Sequence, residues 1–389
     1  MSEQKHRYLI ITELFLPTKG GTAVWFDEVY RRIGGKEIHI VTADVPGGKE
    51  YDATHPNTVH RLSLKRHWWL KPESLGMYAK FFFKCLGLVM SHKFDAIHAG
   101  RVLPEGLVGW LVARLSGKRI IIYAHGEEIT TWRQSGKFKA MVFAYRHADK
   151  VVANSEFTRD QLLQLGVAPE SILIINPGVD IDCNKPGLLC EDLKAGIGLA
   201  PGQKLILSVG RLSRRKGFDR VIQSLPELLK RGIDIQYALI GVGEDKDYLV
   251  NIAREQQVSD RVHMLGHVAA EDLPRWYNAC DIFAMPNREI NGDTEGFGMV
   301  FIEAAACGKP VLAGKAGGTG ASVEHGVTGL RVDGDSAHEI LVGLAEILAN
   351  DEYAMHLGQN GLLRVLKQFS WETIARKTKL HVGVSTTEA

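Results

Sequence analysis

The chain has 389 residues, 45% of them hydrophobic and 24% charged, with a formal net charge of +2. That length exceeds one hydrophobic core and points to two domains, and the near-neutral balance argues against nucleic acid as a partner. No run of roughly 18 apolar residues occurs, so no membrane-spanning helix is expected. The start, Met-Ser-Glu-Gln-Lys-His-Arg, passes directly into an apolar strand and is too short and acidic for a signal peptide. Cys85, Cys183, Cys190, Cys280 and Cys307 form no CxxC and no paired framework. Such cysteine usage fits reduced thiols and a cytoplasmic protein.

In chain order, short β-branched runs fall at 8–11, 38–42, 120–124, 150–153 and 172–175, separated by helical stretches such as 22–33 and 156–165. Gly20-Gly21-Thr22 lies between the first strand and the first helix. Glycine there lets the backbone approach an anion and offer N–H donors, and it also suits a plain strand-to-helix turn. The stretches 61–71 and 78–84 interleave cations with aromatics, as in Lys65-Arg66-His67-Trp68-Trp69 and Lys80-Phe81-Phe82-Phe83-Lys84. This composition suits contact with anionic lipid; equally, 81–83 and 86–89 read as one buried helix, and both readings stand. His125 follows the strand at 119–124. Asn176-Pro177-Gly178 ends a strand, and Pro186, Gly187, Gly196, Gly198, Pro201 and Gly202 mark a boundary region. Strands then recur at 205–209, 236–240, 262–265, 282–285 and 311–313. Each set predicts a parallel α/β sheet with crossover helices, giving two Rossmann-like domains, about 1–183 and 184–369. Such sheets take ligands at the carboxyl ends of their strands, so a deep cleft between the halves is the expected site.

The most informative stretch is Asp293-Thr294-Glu295-Gly296-Phe297-Gly298-Met299-Val300-Phe301-Ile302-Glu303-Ala304-Ala305-Ala306. It predicts one carboxylate on a glycine-bearing loop, a helix beginning near Gly298, Met299 and Val300, and a second carboxylate within that helix. Free N–H groups at a helix start favour a phosphate. Glu295 can then face what hangs off one side of the phosphate and Glu303 what hangs off the other, the layout of a nucleotide sugar. A carboxylate in an apolar helix needs a hydrogen-bonding partner, and for Glu303 a ribose diol would serve. Alone, Glu303 also reads as a surface residue on an amphipathic helix.

With Arg211-Leu212-Ser213-Arg214-Arg215-Lys216-Gly217 upstream, the segment from Glu295 to Ala306 resembles the family 4 retaining glycosyltransferases of GT-B fold. The likeness extends to Gly20-Gly21, His125-Gly126-Glu127-Glu128, Asn154-Ser155-Glu156, Asn176-Pro177-Gly178-Val179-Asp180 and Gly241-Val242-Gly243. The resemblance implies two Rossmann-like domains facing a cleft, with a last helix, after Phe369-Ser370-Trp371, crossing back so that about 370–389 completes the N-terminal domain. It implies transfer of a hexosyl unit, with retention, from a nucleotide diphosphate sugar to a glycan or lipid-linked hydroxyl. It further implies a glycine loop at Gly20 and Gly21 over the phosphates, Gly241 beside the nucleotide, and backbone groups near Leu265 and Val268 at the base. His125 would then lie near the donor sugar, and N-domain surfaces would contact membrane.

Transfer breaks the anomeric C–O bond, and negative charge grows on the departing diphosphate. The chain has no obvious Asp-x-Asp pair beside a strand end, so Arg211 and Lys216 are expected to take that charge in place of a metal, and no cofactor is expected. The loop also reads as a solvated basic stretch, since Arg214 and Arg215 lie between them. Retention is open between front-side attack and a covalent glycosyl-enzyme. UDP is favoured over GDP as the commoner carrier, since nothing in the sequence near Leu265 selects a base. Two rivals remain: a sugar-nucleotide epimerase or hydrolase of the same fold, and a non-catalytic sugar-nucleotide binding protein.

Overall fold

The computed structural model describes residues 6–64 and 74–383. The basic aromatic run Lys65-Arg66-His67-Trp68-Trp69-Leu70-Lys71 lies outside the described residues. The chain divides into two compact units, 1–177 with 371–389, and 178–370.

The first unit is built on seven parallel strands: β1 (Tyr8–Ile11), β2 (His39–Ala43), β3 (Thr58–Leu62), β4 (Ala96–Ala99), β5 (Arg119–Ala124), β6 (Lys150–Ala153) and β7 (Ile172–Ile174). Their spatial order is β3-β2-β1-β4-β5-β6-β7. The central strands β1 and β4 are buried along their whole length, as expected for a sheet covered on both faces. The order reverses between β1 and β4, which opens a crevice at their carboxyl ends. The helix Gly21–Ile33 covers one face through Trp25, Phe26, Val29 and Tyr30. The last helix, Trp371–Gly383, belongs to this unit, as expected for a chain that returns at its end. Arg32 of the first helix donates to Glu372 at 2.8 Å.

The second unit has six parallel strands: β8 (Lys204–Val209), β9 (Ile235–Ile240), β10 (Val262–Gly266), β11 (Ile282–Met285), β12 (Val311–Gly314) and β13 (Leu330–Val332). The order is β10-β9-β8-β11-β12-β13, so the reversal falls between β8 and β11. Its core is separate, built from strand residues such as Leu207, Leu239 and Phe283 and helix residues such as Phe218, Leu225 and Phe301.

Three strands lack the β-branched signal. β4 reads Ala-Ile-His-Ala; it is nonetheless central, and its His98 Nδ1 meets the Tyr30 hydroxyl at 2.5 Å. β3 is an edge strand carrying His60 and Arg61, and β13 spans only three residues. Position in the sheet, not composition, makes these segments strands.

Candidate active site

The reversal in the second unit brings two loops together. The loop after β8 runs from Gly210 to Gly217, and the loop after β11 from Pro286 to Gly298. Their backbones touch: Arg288 N donates to Arg215 O at 2.8 Å. Gly217 has φ +75°, and a Cβ there would lie 2.1 Å from Pro286 O, so only glycine allows this approach.

The contact unites residues that lie 79 and 80 positions apart in sequence. Lys216 Nζ donates to Glu295 Oε2 at 2.6 Å, and Arg215 Nη1 donates to the same oxygen at 3.0 Å. Arg215 Nε also lies 2.9 Å from Asp293 Oδ1. Burial would raise the Glu295 carboxyl, but Lys216 and Arg215 outweigh it and hold it down at about 2. From the other side, Gly318 N donates to Glu295 O at 2.7 Å. Gly317 has φ +70°, and a Cβ there would meet Glu295 O at 2.1 Å. Phe297 is buried against Phe369 with ring centroids 5.8 Å apart. The Glu295 loop is thus pinned from three directions.

The solvated reading of this loop does not extend to Arg215, which is buried, with 8% of its surface exposed. Desolvation is affordable there because two carboxylates face it. Arg211, at the start of the loop, is exposed. Leu212 N donates to Val242 O at 3.1 Å, tying this loop to the Gly241-Val242-Gly243 turn after β9. Gly241 N donates in turn to Gly266 O at the end of β10, at 2.8 Å. Leu265 and Val268 are partly buried against the core.

The helix Met299–Ala306 begins where the sequence places it, with Gly298 at its N-cap (φ +83°) supplying no side-chain cap. Met299 and Val300 in its first turn are partly buried. Glu303 lies within the helix, and the Tyr277 hydroxyl donates to its Oε2 at 2.6 Å. Burial raises the Glu303 carboxyl above its ordinary value. The hydrogen-bonding partner that a carboxylate in this helix needs is present within the protein: Tyr277, on the neighbouring Leu273–Ala279 helix.

In the first unit, Gly20 and Gly21 are exposed at the start of the first helix. His125 caps the end of β5, and its Nε2 donates to Gly100 O, after β4, at 2.8 Å. The proton is therefore on Nε2, and Nδ1 is the acceptor. Burial lowers the His125 pKa. His125 N donates to Glu128 Oε1 at 3.0 Å, and the Tyr145 hydroxyl donates to the same oxygen at 2.5 Å. A cavity of about 120 Å³ opens here, lined by Thr22, Arg101, His125, Glu127, Thr131 and Trp132 among others.

Two family models match the chain: Glycosyltransferase Family 4 over residues 19–183 and Glycosyl transferases group 1 over residues 191–364. A D-inositol 3-phosphate glycosyltransferase 1 of Catenulispora acidiphila is 32% identical over 76% of this chain and 69% of that protein. The chain belongs to the family 4 glycosyltransferases. This glycosyltransferase is also 29% identical, over 95% of its length and 96% of the relative's, to a GDP-mannose-dependent alpha-(1-6)-phosphatidylinositol monomannoside mannosyltransferase of Mycobacterium tuberculosis. Among solved structures, Anabaena HepE in complex with UDP superposes with a TM-score of 0.82 at 22% identity, covering 97% of this chain and 99% of that one. Sucrose-phosphate synthase of Thermosynechococcus elongatus gives 0.77 at 21% identity, covering 97% and 98%. These two likenesses establish the GT-B fold of the enzyme.

Sequence reasoning missed Arg215, Asp293, Tyr277 and Gly317. Gly317-Gly318 after β12 is a legible glycine pair. Tyr277 has no local signal, since its partner is 26 residues away.

Proposed function

We propose that this glycosyltransferase moves a mannosyl unit, with retention, from GDP-mannose to a hydroxyl of a lipid-linked polyol. The observation that carries the donor reading is the Lys216–Glu295–Arg215 cluster at the carboxyl ends of β8 and β11. Cations there suit a diphosphate, and a carboxylate locked in its ionised form suits sugar hydroxyls. Arg211 and Lys216 take the charge growing on the leaving diphosphate, with no divalent cation required. The first-turn backbone of Gly298, Met299 and Val300 receives a phosphate, and Glu303, shared with Tyr277, receives the ribose. In the first unit, the cavity beside His125 takes the acceptor. The acceptor oxygen bonds to the anomeric carbon as the C–O bond to the diphosphate breaks. The hydroxyl proton passes to the departing phosphate oxygen.

Guanosine is preferred to the uridine carrier favoured by sequence because the mycobacterial relative, matched over nearly its whole length, is named for GDP-mannose. That name and the inositol phosphate relative support a phosphoinositol-type acceptor. Peripheral contact of the first unit with membrane is supported by the helix Leu75–Ser91, which exposes Phe83 and Met90 beside lysines.

The test is turnover with GDP-mannose, GDP-glucose, UDP-glucose and UDP-galactose, each with phosphatidylinositol vesicles, with and without excess EDTA. Transfer from GDP-mannose that survives EDTA is expected. Preference for a UDP-sugar overturns the base assignment. Loss with EDTA, restored by magnesium or manganese, overturns the account of leaving-group stabilisation.

A further inference from the structure

The loop after β11 contains a turn with a specific geometry. Asn291 and Gly292 have φ of +52° and +80°. Ile290 N donates to Asp293 O at 3.0 Å and Asp293 N to Ile290 O at 2.9 Å. This is a two-residue hairpin whose left-handed pair suits Asn-Gly. It returns the chain so that Asp293 and Glu295 meet the same guanidinium, at 2.9 Å and 3.0 Å. Arg215 is also fixed through its own backbone, which accepts Arg288 N at 2.8 Å.

The two cations on Glu295 Oε2 differ in kind. Arg215 is planar, buried and held by a second carboxylate. Lys216 is a compact charge on a flexible stem. We propose that Arg215, anchored by Asp293, is a positioning residue that keeps Glu295 ionised and oriented while Lys216 passes from Glu295 to the donor diphosphate. This rests on the donor reading above. When Lys216 turns to phosphate, Glu295 loses one ion-pair partner. A buried carboxylate left alone takes up a proton or shifts. Arg215 prevents both. Asp293 keeps Arg215 from following Lys216 toward the phosphates. The groups facing Glu295 are Lys216 and Arg215 from the loop after β8, Asp293 along its own loop, and the Gly318 amide after β12.

The experiment uses the full chain with Arg215→Met, Arg215→Lys and Asp293→Asn. Measured for each are kcat, KM for the sugar nucleotide that the wild type uses, its pH profile, and GDP and UDP affinity by calorimetry. R215M is expected to lose roughly 30-fold or more in kcat, with nucleoside diphosphate affinity within about threefold of wild type. Its acid limb moves to higher pH, because one of the two cations that depress the Glu295 carboxyl is gone. R215K recovers part of both effects, and D293N loses kcat more weakly. Wild-type kcat and acid limb in R215M overturn the proposal. So does loss of nucleotide affinity in place of kcat, which makes Arg215 a phosphate ligand. Should R215M not fold, R215K decides by the same two readouts and D293N by kcat. If the wild type turns over no sugar nucleotide, the donor reading is what fails. Acid unfolding then judges Arg215. The Glu295 carboxyl, depressed from 4.5 to about 2, contributes stability above pH 4.5 that is lost as pH falls toward 2. R215K must lose less in that window than wild type; an unchanged curve overturns the proposal.

Discussion

Glu295 and Glu303 have the same side chain and opposite electrostatics. Glu295 meets two cations and is held near pH 2. Glu303 meets a neutral hydroxyl and is raised by burial. The two therefore fail differently. On the proposed layout, Glu303→Ala removes ribose contacts that are alike in ground and transition states, so KM is expected to rise and kcat to change little. On the proposed layout, Glu295→Ala removes a carboxylate facing a sugar whose charge changes during transfer, so kcat is expected to fall on the order of 100-fold while GDP still binds. Calorimetry with GDP and steady-state kinetics on both variants make the comparison. Loss of GDP binding in E295A with retention in E303A reverses the assigned layout. The pair itself was legible in sequence because a spacing and a helix start are local properties. The partners were not, since Arg215 and Tyr277 are chosen by strand order and helix packing.

Among elements, the helix Leu75–Ser91 is divided lengthwise. Met77, Phe81, Cys85 and Leu88 are buried along one side and belong to the core. Phe83 and Met90, seven positions apart and so on one face, are 70% and 81% exposed. The buried-helix reading of this stretch thus holds for one face, and the other face is open to solvent. An apolar face with Lys80 and Lys93 beside it suits an anionic bilayer. Phe83→Glu with Met90→Glu is expected to cut binding to phosphatidylinositol-containing vesicles by about tenfold or more, with thermal stability nearly unchanged. Co-sedimentation gives the answer; equal binding of variant and wild type rules out this face. Helices of this type are readable because periodicity is written along the chain. The alanine-rich β4 was not, because a strand in the middle of a sheet is stabilised by its neighbours.

Across the whole molecule, the chain leaves the first unit after Pro177 and returns to it at Trp371. The return is held by apolar burial: Trp371 is 2% exposed, and Ile374, Ala375 and Val382 are buried with it. Trp371→Ala leaves a large void at the start of the last helix and is expected to destabilise the first unit by about 3–5 kcal/mol. Thermal unfolding followed by circular dichroism tests this; a melting temperature within a degree of wild type contradicts it. Ser370 pairs with Val179 within the second unit.

Residue order alone carried the two parallel sheets, the helix start at Gly298, the paired glutamates and the likeness to family 4 glycosyltransferases. All of these are patterns within some 15 residues or recurrences of one alternation. What needed the folded chain was the reversal between β8 and β11, which sets Lys216 and Arg215 against a carboxylate some 80 positions away. Only that contact turns a basic loop residue into a buried clamp. Coulomb attraction at 3 Å outweighs desolvation there, and the sequence carries no trace of a distance.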